Sequence, residues 1–170
     1  MDRINPCSLC SAPCCKDYTV TVTSFDILTI SQRAKLPPSK FAKIAECTLF
    51  NKDLETVLRF SDVDFPEGYI LIIKSHPCFF LDIKNRCMIH EYAPLTCRRY
   101  PFDISGRMNA RYCPSHSKLL FLMQGPEVEV KPYMRRIEAY RKLVGEWNDN
   151  PGRHQDCLEW LLKRSAEHRF

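Results

Sequence analysis

Residues 7–15 read CSLCSAPCC, and this run holds four of the ten cysteines in a chain of 170 residues. Cys7 and Cys10 form a C-x-x-C knuckle, a spacing that lets two sulfur atoms reach one metal ion. Cys14 and Cys15 are adjacent, and neighbours in an extended segment point to opposite sides, so we expect them to serve two sites or different irons of one cluster. For the C-x-x-C spacing alone, a redox dithiol or a disulfide knot is the alternative interpretation.

Four more cysteines follow at longer intervals, with eight, nine and fifteen residues between them: Cys78, Cys87, Cys97 and Cys113. Thiolate is the soft ligand that suits zinc, copper(I) and iron–sulfur clusters. Eight thiolates in two groups are enough to close two four-coordinate sites or to hold a larger cluster. The sequence therefore predicts that these eight cysteines are metal ligands and that the second group converges at one end of a small sheet.

The sequence gives weaker support for the other two cysteines and three of the histidines as metal ligands. Cys47 and Cys157 lie among apolar residues at helical spacing, and we interpret them as buried structural thiols. Three histidines, each two or three positions from a cysteine, are either ligands or surface and outer-shell residues: His76, His90 and His116.

Two arginines follow Cys97 directly, and two roles are open for them. Arg98 and Arg99 either donate charge-assisted hydrogen bonds to sulfur or to an anionic substrate, or they form salt bridges with Glu91 or Asp103. Donation to sulfur would raise the reduction potential of a bound cluster.

Composition and charge indicate what class of protein this is. With 45% hydrophobic and 26% charged residues, the chain is typical of a single compact domain. We expect residues 1–114 to form a cysteine-cluster region and residues 115–170 a C-terminal helical extension. No signal-peptide core or membrane span is evident, so we expect a cytoplasmic protein whose thiols stay reduced. If the cysteines bind metal as thiolates, the site would offset much of the net charge of +5. Acidic residues are also interspersed among the C-terminal basic ones, so we do not expect nucleic acid binding.

Hydrophobic periodicity predicts a pair of helices near the N-terminus, after a short strand at residues 18–23. Ser24 is the expected cap of the first helix, which extends to Ala34. After the break at Pro37 and Pro38, a second helix is predicted from Lys40 to about Leu49 with Ser39 as its cap. Residues 51–68 are interpreted as a connector with at most a short helical turn.

The rest of the chain predicts short strands and then helices, which makes the fold class α+β. We expect a small antiparallel sheet with hairpins at the cysteine-rich site, flanked by the N-terminal helical pair and by C-terminal helices. The predicted strands are 69–73, 78–81 and 86–90, with a second hairpin formed by 101–104 and 108–112. The predicted helices are 118–123, 132–147 and 154–167.

Four stretches carry a resemblance to a known family: 78–82 (CFFLD), 87–94 (CMIHEYAP), 97–102 (CRRYPF) and Cys113-Pro114. Together with residues 7–15 they resemble the YkgJ-type CxxCxxCC cysteine-cluster family, a domain described as chelating zinc or iron. The resemblance spans Cys7 to about Pro114, and the family's eight cysteines map onto the eight named above. One departure is that three residues, 11–13, precede the double cysteine where the motif has two. The family also occurs in flagellin lysine N-methylases, so the resemblance permits a protein-methylating or maturation role.

Local motifs of the common enzyme chemistries are absent from the sequence. The radical S-adenosylmethionine spacing C-x-x-x-C-x-x-C fails at Asp17, and no nucleotide-binding, zinc-protease or deaminase motif is present. A thiol nucleophile formed by Cys97 with His90 stays open.

We therefore predict a metal-binding protein that holds iron–sulfur cluster(s), with 4Fe–4S favoured, or zinc. Cys113-Pro114 favours iron–sulfur because it is similar to the Cys-Pro ending of ferredoxin-type ligands. The alternatives are an iron–sulfur-dependent modifying enzyme, such as a lysine N-methylase-like methyltransferase, and a zinc-stabilised interaction module. Beyond the metal, the expected partner is a protein or a protein substrate, with no membrane.

Overall fold

The computed structural model of the chain describes residues 6–48, 53–74, 76–103, 105–109 and 113–168, without the side chains of Ser8 and Leu9. Within these ranges it contains seven α-helices and one two-stranded antiparallel sheet, which confirms the predicted α+β class. No helix in the described ranges is both long and apolar enough to cross a membrane. The helices are α1 (Pro13–Asp17), α2 (Ser24–Ala34), α3 (Pro38–Phe41), α4 (Leu95–Arg99), α5 (Ser115–Gln124), α6 (Val130–Asp149) and α7 (His154–Glu167). The strands are β1 (Ala42–Glu46) and β2 (Tyr69–Ile73), and short 3-10 helices cover Pro6–Leu9, Leu54–Thr56 and His90–Tyr92.

Strand β2 is the centre of the sheet, and all of its residues are buried, as its apolar sequence predicts. On one side β1 pairs with it antiparallel, from Ala42 opposite Ile73 to Glu46 opposite Tyr69. On the other side the predicted strand at 18–23 is reduced to a bridge between Thr21 and Ile72, supported by flanking backbone hydrogen bonds of 3.0 Å. Both edges of β2 are covered because buried backbone N–H and C=O groups need partners.

The predicted helix from Lys40 to Leu49 is wrong. Helix α3 ends at Phe41, and residues 42–46 form β1, while Leu49 lies outside the described residues. Residues AKIAE have good helix propensity, but pairing with a fully buried strand outweighs a preference worth only tenths of a kcal/mol per residue. Cys47 is fully buried, as predicted, although it follows a strand and does not lie on a helix.

The predicted hairpins exist only as tight turns, so the regular strands proposed for them are wrong. One isolated bridge joins Leu81 to Cys87, and another joins Phe102 to Met108, while residues 104 and 110–112 lie outside the described part of the chain. The carboxylates of Asp82 and Asp103 accept hydrogen bonds from backbone N–H groups of these turns. Asp side chains stabilise such loops without a strand ladder. The described part of the connector, residues 53–68, contains one short helical turn at Leu54–Thr56, in agreement with the prediction of at most one.

Helix α2 is capped one residue earlier than predicted. Thr23 is the N-cap, and its hydroxyl accepts from the Asp26 N–H at 3.2 Å while the Asp26 carboxylate accepts from the Thr23 N–H at 3.0 Å. This reciprocal pair is a capping box. Ser24, the predicted cap, is buried instead and shares a hydrogen bond of 2.7 Å with Ser165 of α7.

The predicted C-terminal helices are confirmed, and α6 and α7 complete the main core. Cys157 and Leu161 of α7 are fully buried, so the structural interpretation of Cys157 is borne out. The Trp147 and Trp160 rings lie 5.4 Å apart between α6 and α7. Residues of α2, α6, α7 and β2 belong to one hydrophobic cluster, which connects the cysteine-rich half of the chain to its C-terminal helices.

Two glycines with positive φ provide a matched test of packing. At Gly68 (φ +74°) a Cβ atom would overlap Val57 Cγ1 and lie 3.1 Å from the Leu58 carbonyl oxygen, whereas at Gly106 (φ +81°) no described heavy atom lies within 4 Å. Gly106→Ala is expected to cost only the left-handed backbone strain, about 1–2 kcal/mol. Gly68→Ala adds overpacking of about 1–3 kcal/mol. Urea unfolding of both variants measures the difference, and equal losses would contradict the packing described for Gly68.

Candidate metal centre

The first cysteine group folds as a short 3-10 turn followed by α1. The Cys10 N–H donates to the Cys7 carbonyl oxygen at 3.2 Å, and the Ala12 N–H donates to Cys10 Sγ at 3.4 Å. Ala12 adopts the left-handed conformation (φ 57°), and α1 begins at the next residue. The predicted extended geometry of Cys14 and Cys15 is therefore wrong, because both residues lie on α1.

On a helix, adjacent side chains diverge by about 100° rather than pointing to opposite sides. The thiols of Cys14 and Cys15 are hydrogen-bonded to each other. This bond lowers the pKa of Cys14 to about 7 and raises the pKa of Cys15, with burial raising both. The geometric reason for assigning the two sulfurs to different sites therefore does not hold.

Backbone contacts bring the second cysteine group to the first. The Cys78 N–H donates to the Cys15 carbonyl oxygen at 2.7 Å, which joins the two groups directly. The bridge between Leu81 and Cys87 places Cys87 beside Cys78, as the hairpin prediction required. Cys97 lies on the short helix α4.

Three cysteine sulfurs accept a hydrogen bond from the backbone N–H two residues further along the chain. This holds for Cys10, Cys78 and Cys87, whose donors are Ala12, Phe80 and Ile89. At Cys78 and Cys87 this bond lowers the thiol pKa against a larger increase caused by burial. Such N–H donors favour the thiolate form, which is the form that binds metal.

Seven of the eight predicted ligands line one cavity of about 180 Å³: Cys7, Cys10, Cys14, Cys15, Cys78, Cys87 and Cys97. Burial, reinforced by the neighbouring thiols, raises the pKa of Cys7 to about 12 and that of Cys97 well above its usual value. Cys113 does not line the cavity, but it lies close enough to raise the pKa of Cys7, and its Sγ donates to Tyr100 Oη at 3.8 Å. Tyr100 also lines the cavity; in the sequence it lies three residues after Cys97, within the stretch 97–102 that carries the family resemblance.

None of the ten cysteines forms a disulfide bond. As the side chains stand, no three His, Cys, Asp or Glu residues in the described ranges are arranged to hold a metal ion. The donor set nevertheless fits a soft metal, because seven sulfurs face one cavity and thiolate is the ligand such metals prefer. Rotation of a cysteine side chain between its staggered rotamers moves the sulfur without moving the backbone.

The two arginines after Cys97 have partners other than those predicted. Arg98 Nε donates to Glu127 Oε1 at 2.6 Å, and Arg99 donates to backbone carbonyl oxygens, including that of Asp103. The predicted salt bridges to the carboxylates of Glu91 or Asp103 are therefore wrong. Through these hydrogen bonds both arginines connect α4 to neighbouring segments, rather than contacting sulfur.

The three histidines near cysteines differ in their surroundings. His76 is exposed and hydrogen-bonded to the Thr19 hydroxyl at 3.1 Å, and His116 is exposed on α5. His90 lines the cysteine cavity, and its Nε2 lies 3.1 Å from Glu127 Oε2. Among the three, only His90 is placed beside the candidate ligands.

Asp26 has a role beyond the helix start that the sequence predicted. Its side chain is 3% exposed and accepts hydrogen bonds from the Leu95 N–H at 3.3 Å and from Arg136 Nη1 at 3.2 Å, in addition to its capping partner Thr23. These bonds connect α2 to the start of α4, which carries Cys97, and to α6. The sequence predicted the helix start but neither the capping box at Thr23 nor the partners of Asp26 that lie 69 and 110 residues away.

No curated protein and no solved structure matches the chain. Residues 6–114, nearly two thirds of the chain, match the model of the CxxCxxCC family, described as a "putative zinc- or iron-chelating domain". The matched segment contains all eight predicted ligand cysteines and ends just before α5. This chain therefore belongs to the CxxCxxCC family of zinc- or iron-chelating domains.

Proposed function

We propose that the protein binds metal through its cysteine thiolates as iron–sulfur cluster(s) of the 4Fe–4S type, each held by four cysteines, in preference to zinc. The proposed ligands are Cys7, Cys10, Cys14, Cys15, Cys78, Cys87, Cys97 and Cys113. The observation that carries the proposal is the shared cavity of about 180 Å³, to which seven of these cysteines contribute.

The mixing of the two cysteine groups favours a cluster over two isolated zinc ions. A structural zinc site is a closed tetrahedron of four ligands, so two such sites would keep two sets of four apart. Here burial is the main cause that raises the pKa of Cys78, Cys87 and Cys97 in the second group, and Cys14 of the first group adds to it. Sulfurs intermingled in this way suit a centre in which several metal ions share one ligand shell.

The surroundings of the cavity support the same proposal. Backbone N–H groups donate to three of the sulfurs, and hydrogen bonds to cluster sulfurs are one of the means by which a protein sets reduction potential. Apolar side chains, including Phe80, Ile89 and Ala93, form part of the cavity wall and are buried. An apolar wall limits the access of water to a bound centre.

We further propose that the whole chain works as one domain in the reducing cytoplasm. Residues of α2, inside the family segment, pack with α7, outside it, in a single hydrophobic cluster. The C-terminal helices would thus brace the half of the chain that carries the ligands. Reduced thiols are required for metal binding, and the cytoplasm maintains them.

Anaerobic purification followed by metal and acid-labile sulfide analysis tests the proposed function. We expect brown protein with broad visible absorbance, and iron and sulfide in equal amounts. A colourless protein with stoichiometric zinc would overturn the iron–sulfur assignment and retain metal binding. Protein that contains neither metal, and takes up neither on anaerobic reconstitution, would overturn the proposal as a whole.

A further inference from the structure

His90 lies in contact with a carboxylate through one of its two ring nitrogens. Its Nε2 lies 3.1 Å from Glu127 Oε2, within hydrogen-bond distance, and no described residue is bonded to its Nδ1. A histidine that ligates a metal through one ring nitrogen usually donates its other N–H to a carboxylate, which fixes the ring's tautomer and orientation. The contact with Glu127 leaves Nδ1 as the nitrogen available to the cavity.

The carboxylate that orients His90 is itself fixed. Arg98 Nε donates to Glu127 Oε1 at 2.6 Å, so the two oxygens of Glu127 contact two different side chains. Arg98 is the residue after Cys97 on α4. The series of contacts from Arg98 through Glu127 to His90 therefore begins next to Cys97, a proposed ligand, and ends at the wall of the cavity that Cys97 lines.

The position of His90 also differs from that of a surface histidine. Its side chain is 28% exposed, and it lines both the cysteine cavity and an adjoining cavity of about 310 Å³. Cys7 and Cys97 line both cavities as well. His90 is thus located where the two cavities meet, next to sulfurs from both cysteine groups.

We propose that His90 is a further ligand of metal bound in the cysteine cavity and binds through Nδ1, with Glu127 and Arg98 as positioning residues. The inference rests on the proposed function, since it requires a metal in the cysteine cavity. Imidazole suits both iron and zinc, so the assignment holds for either metal. A neutral imidazole also adds a ligand without adding negative charge to a site already rich in thiolates.

X-ray absorption at the edge of the metal that the purified protein carries tests the proposal without any substitution. We expect nitrogen in the first shell together with the outer-shell scattering of an imidazole ring. A first shell of sulfur alone, with no imidazole scattering, would overturn the proposal. Protein without metal would overturn the proposed function first, so the two failures are distinguishable.

Variants supply a second readout, the rate at which a chelator removes the metal. His90→Ala is expected to lose metal at least about 10-fold faster than the wild type. Glu127→Gln is expected to lose metal about 10-fold faster, which is the lower end of the range for a change to a residue that contacts a ligand rather than the metal. Because Glu127 acts through His90, the double variant should lose metal no faster than His90→Ala alone. His76→Ala is the matched control and should match the wild type, since His76 is an exposed histidine two residues from Cys78. Equal rates for His90→Ala and His76→Ala would contradict the assignment.

Discussion

Replacing Cys78 with serine is expected to remove most of the bound metal from the protein. The same change should lower the free energy of unfolding by several kcal/mol, because metal binding and folding are coupled. Cys78 joins the two cysteine groups, since its N–H donates to the Cys15 carbonyl oxygen and its sulfur accepts from the Phe80 N–H. A serine hydroxyl preserves the shape of the side chain but does not supply a soft, ionised ligand. Metal analysis and thermal unfolding of the anaerobically purified variant measure the two effects.

Cys157→Ser is the matched control, because it makes the same chemical change at a fully buried thiol on α7. It should retain full metal content and lose about 1–3 kcal/mol, the cost of burying a hydroxyl in an apolar core. The sharper comparison is made after the metal is removed by a chelator. Cys78→Ser should then be as stable as the metal-free wild type, whereas Cys157→Ser should stay less stable. Equal metal loss in the two variants would contradict the separation of ligand cysteines from core cysteines.

Asp26→Asn is expected to destabilise the protein by roughly 3–5 kcal/mol, the range for removing one partner of a buried ion pair. The carboxylate accepts from Thr23, Leu95 and Arg136, and an amide cannot replace it, because its NH₂ group would face a donor on one side. Since the Leu95 contact holds the start of α4, we also expect metal to be released faster. Denaturant unfolding and chelator kinetics check the two parts.

Two control variants separate the tertiary role of Asp26 from helix capping and from general charge effects. Thr23→Ala removes the capping hydroxyl and should cost about 0.5–2 kcal/mol. Asp156→Asn removes an exposed carboxylate that pairs with Arg153 and should cost at most about 1 kcal/mol. If Asp26→Asn lowered the free energy of unfolding no more than Thr23→Ala does, the hydrogen bonds that connect α2 to α4 and α6 would contribute nothing measurable to stability.

The helices and the strand with the clearest periodicity were predictable from sequence. Helix α7 spans the predicted residues, α6 contains the predicted 132–147, and β2 matches the apolar run at 69–73. In these elements the local pattern and the tertiary environment agree, because the apolar face visible in the sequence is the face that becomes buried. The buried state of Cys157 follows from the same pattern, whereas Cys47 is buried next to a strand rather than on the helix predicted for it.

Elements whose conformation depends on a distant partner were not predictable in this way. Residues 42–46 read as helix but form β1, because β2 needs hydrogen-bond partners along its edge. Cys14 and Cys15 were expected in an extended segment, yet they lie on α1 after the left-handed turn at Ala12. The tertiary partners of Asp26 and Arg98 belong to segments tens of residues away, so no local pattern identifies them.

The sequence by itself determined the family, the amphipathic helices and the set of cysteines that we propose as ligands, because spacing and periodicity are properties of neighbouring residues. Only the tertiary structure decided that the two cysteine groups meet in one cavity and that His90 is oriented beside it by Glu127. The physical reason is that these contacts depend on how segments distant in sequence pack against one another. This packing is determined by hydrogen bonds between buried backbone groups and by the shared burial of apolar faces, and neither can be inferred from a local stretch of residues.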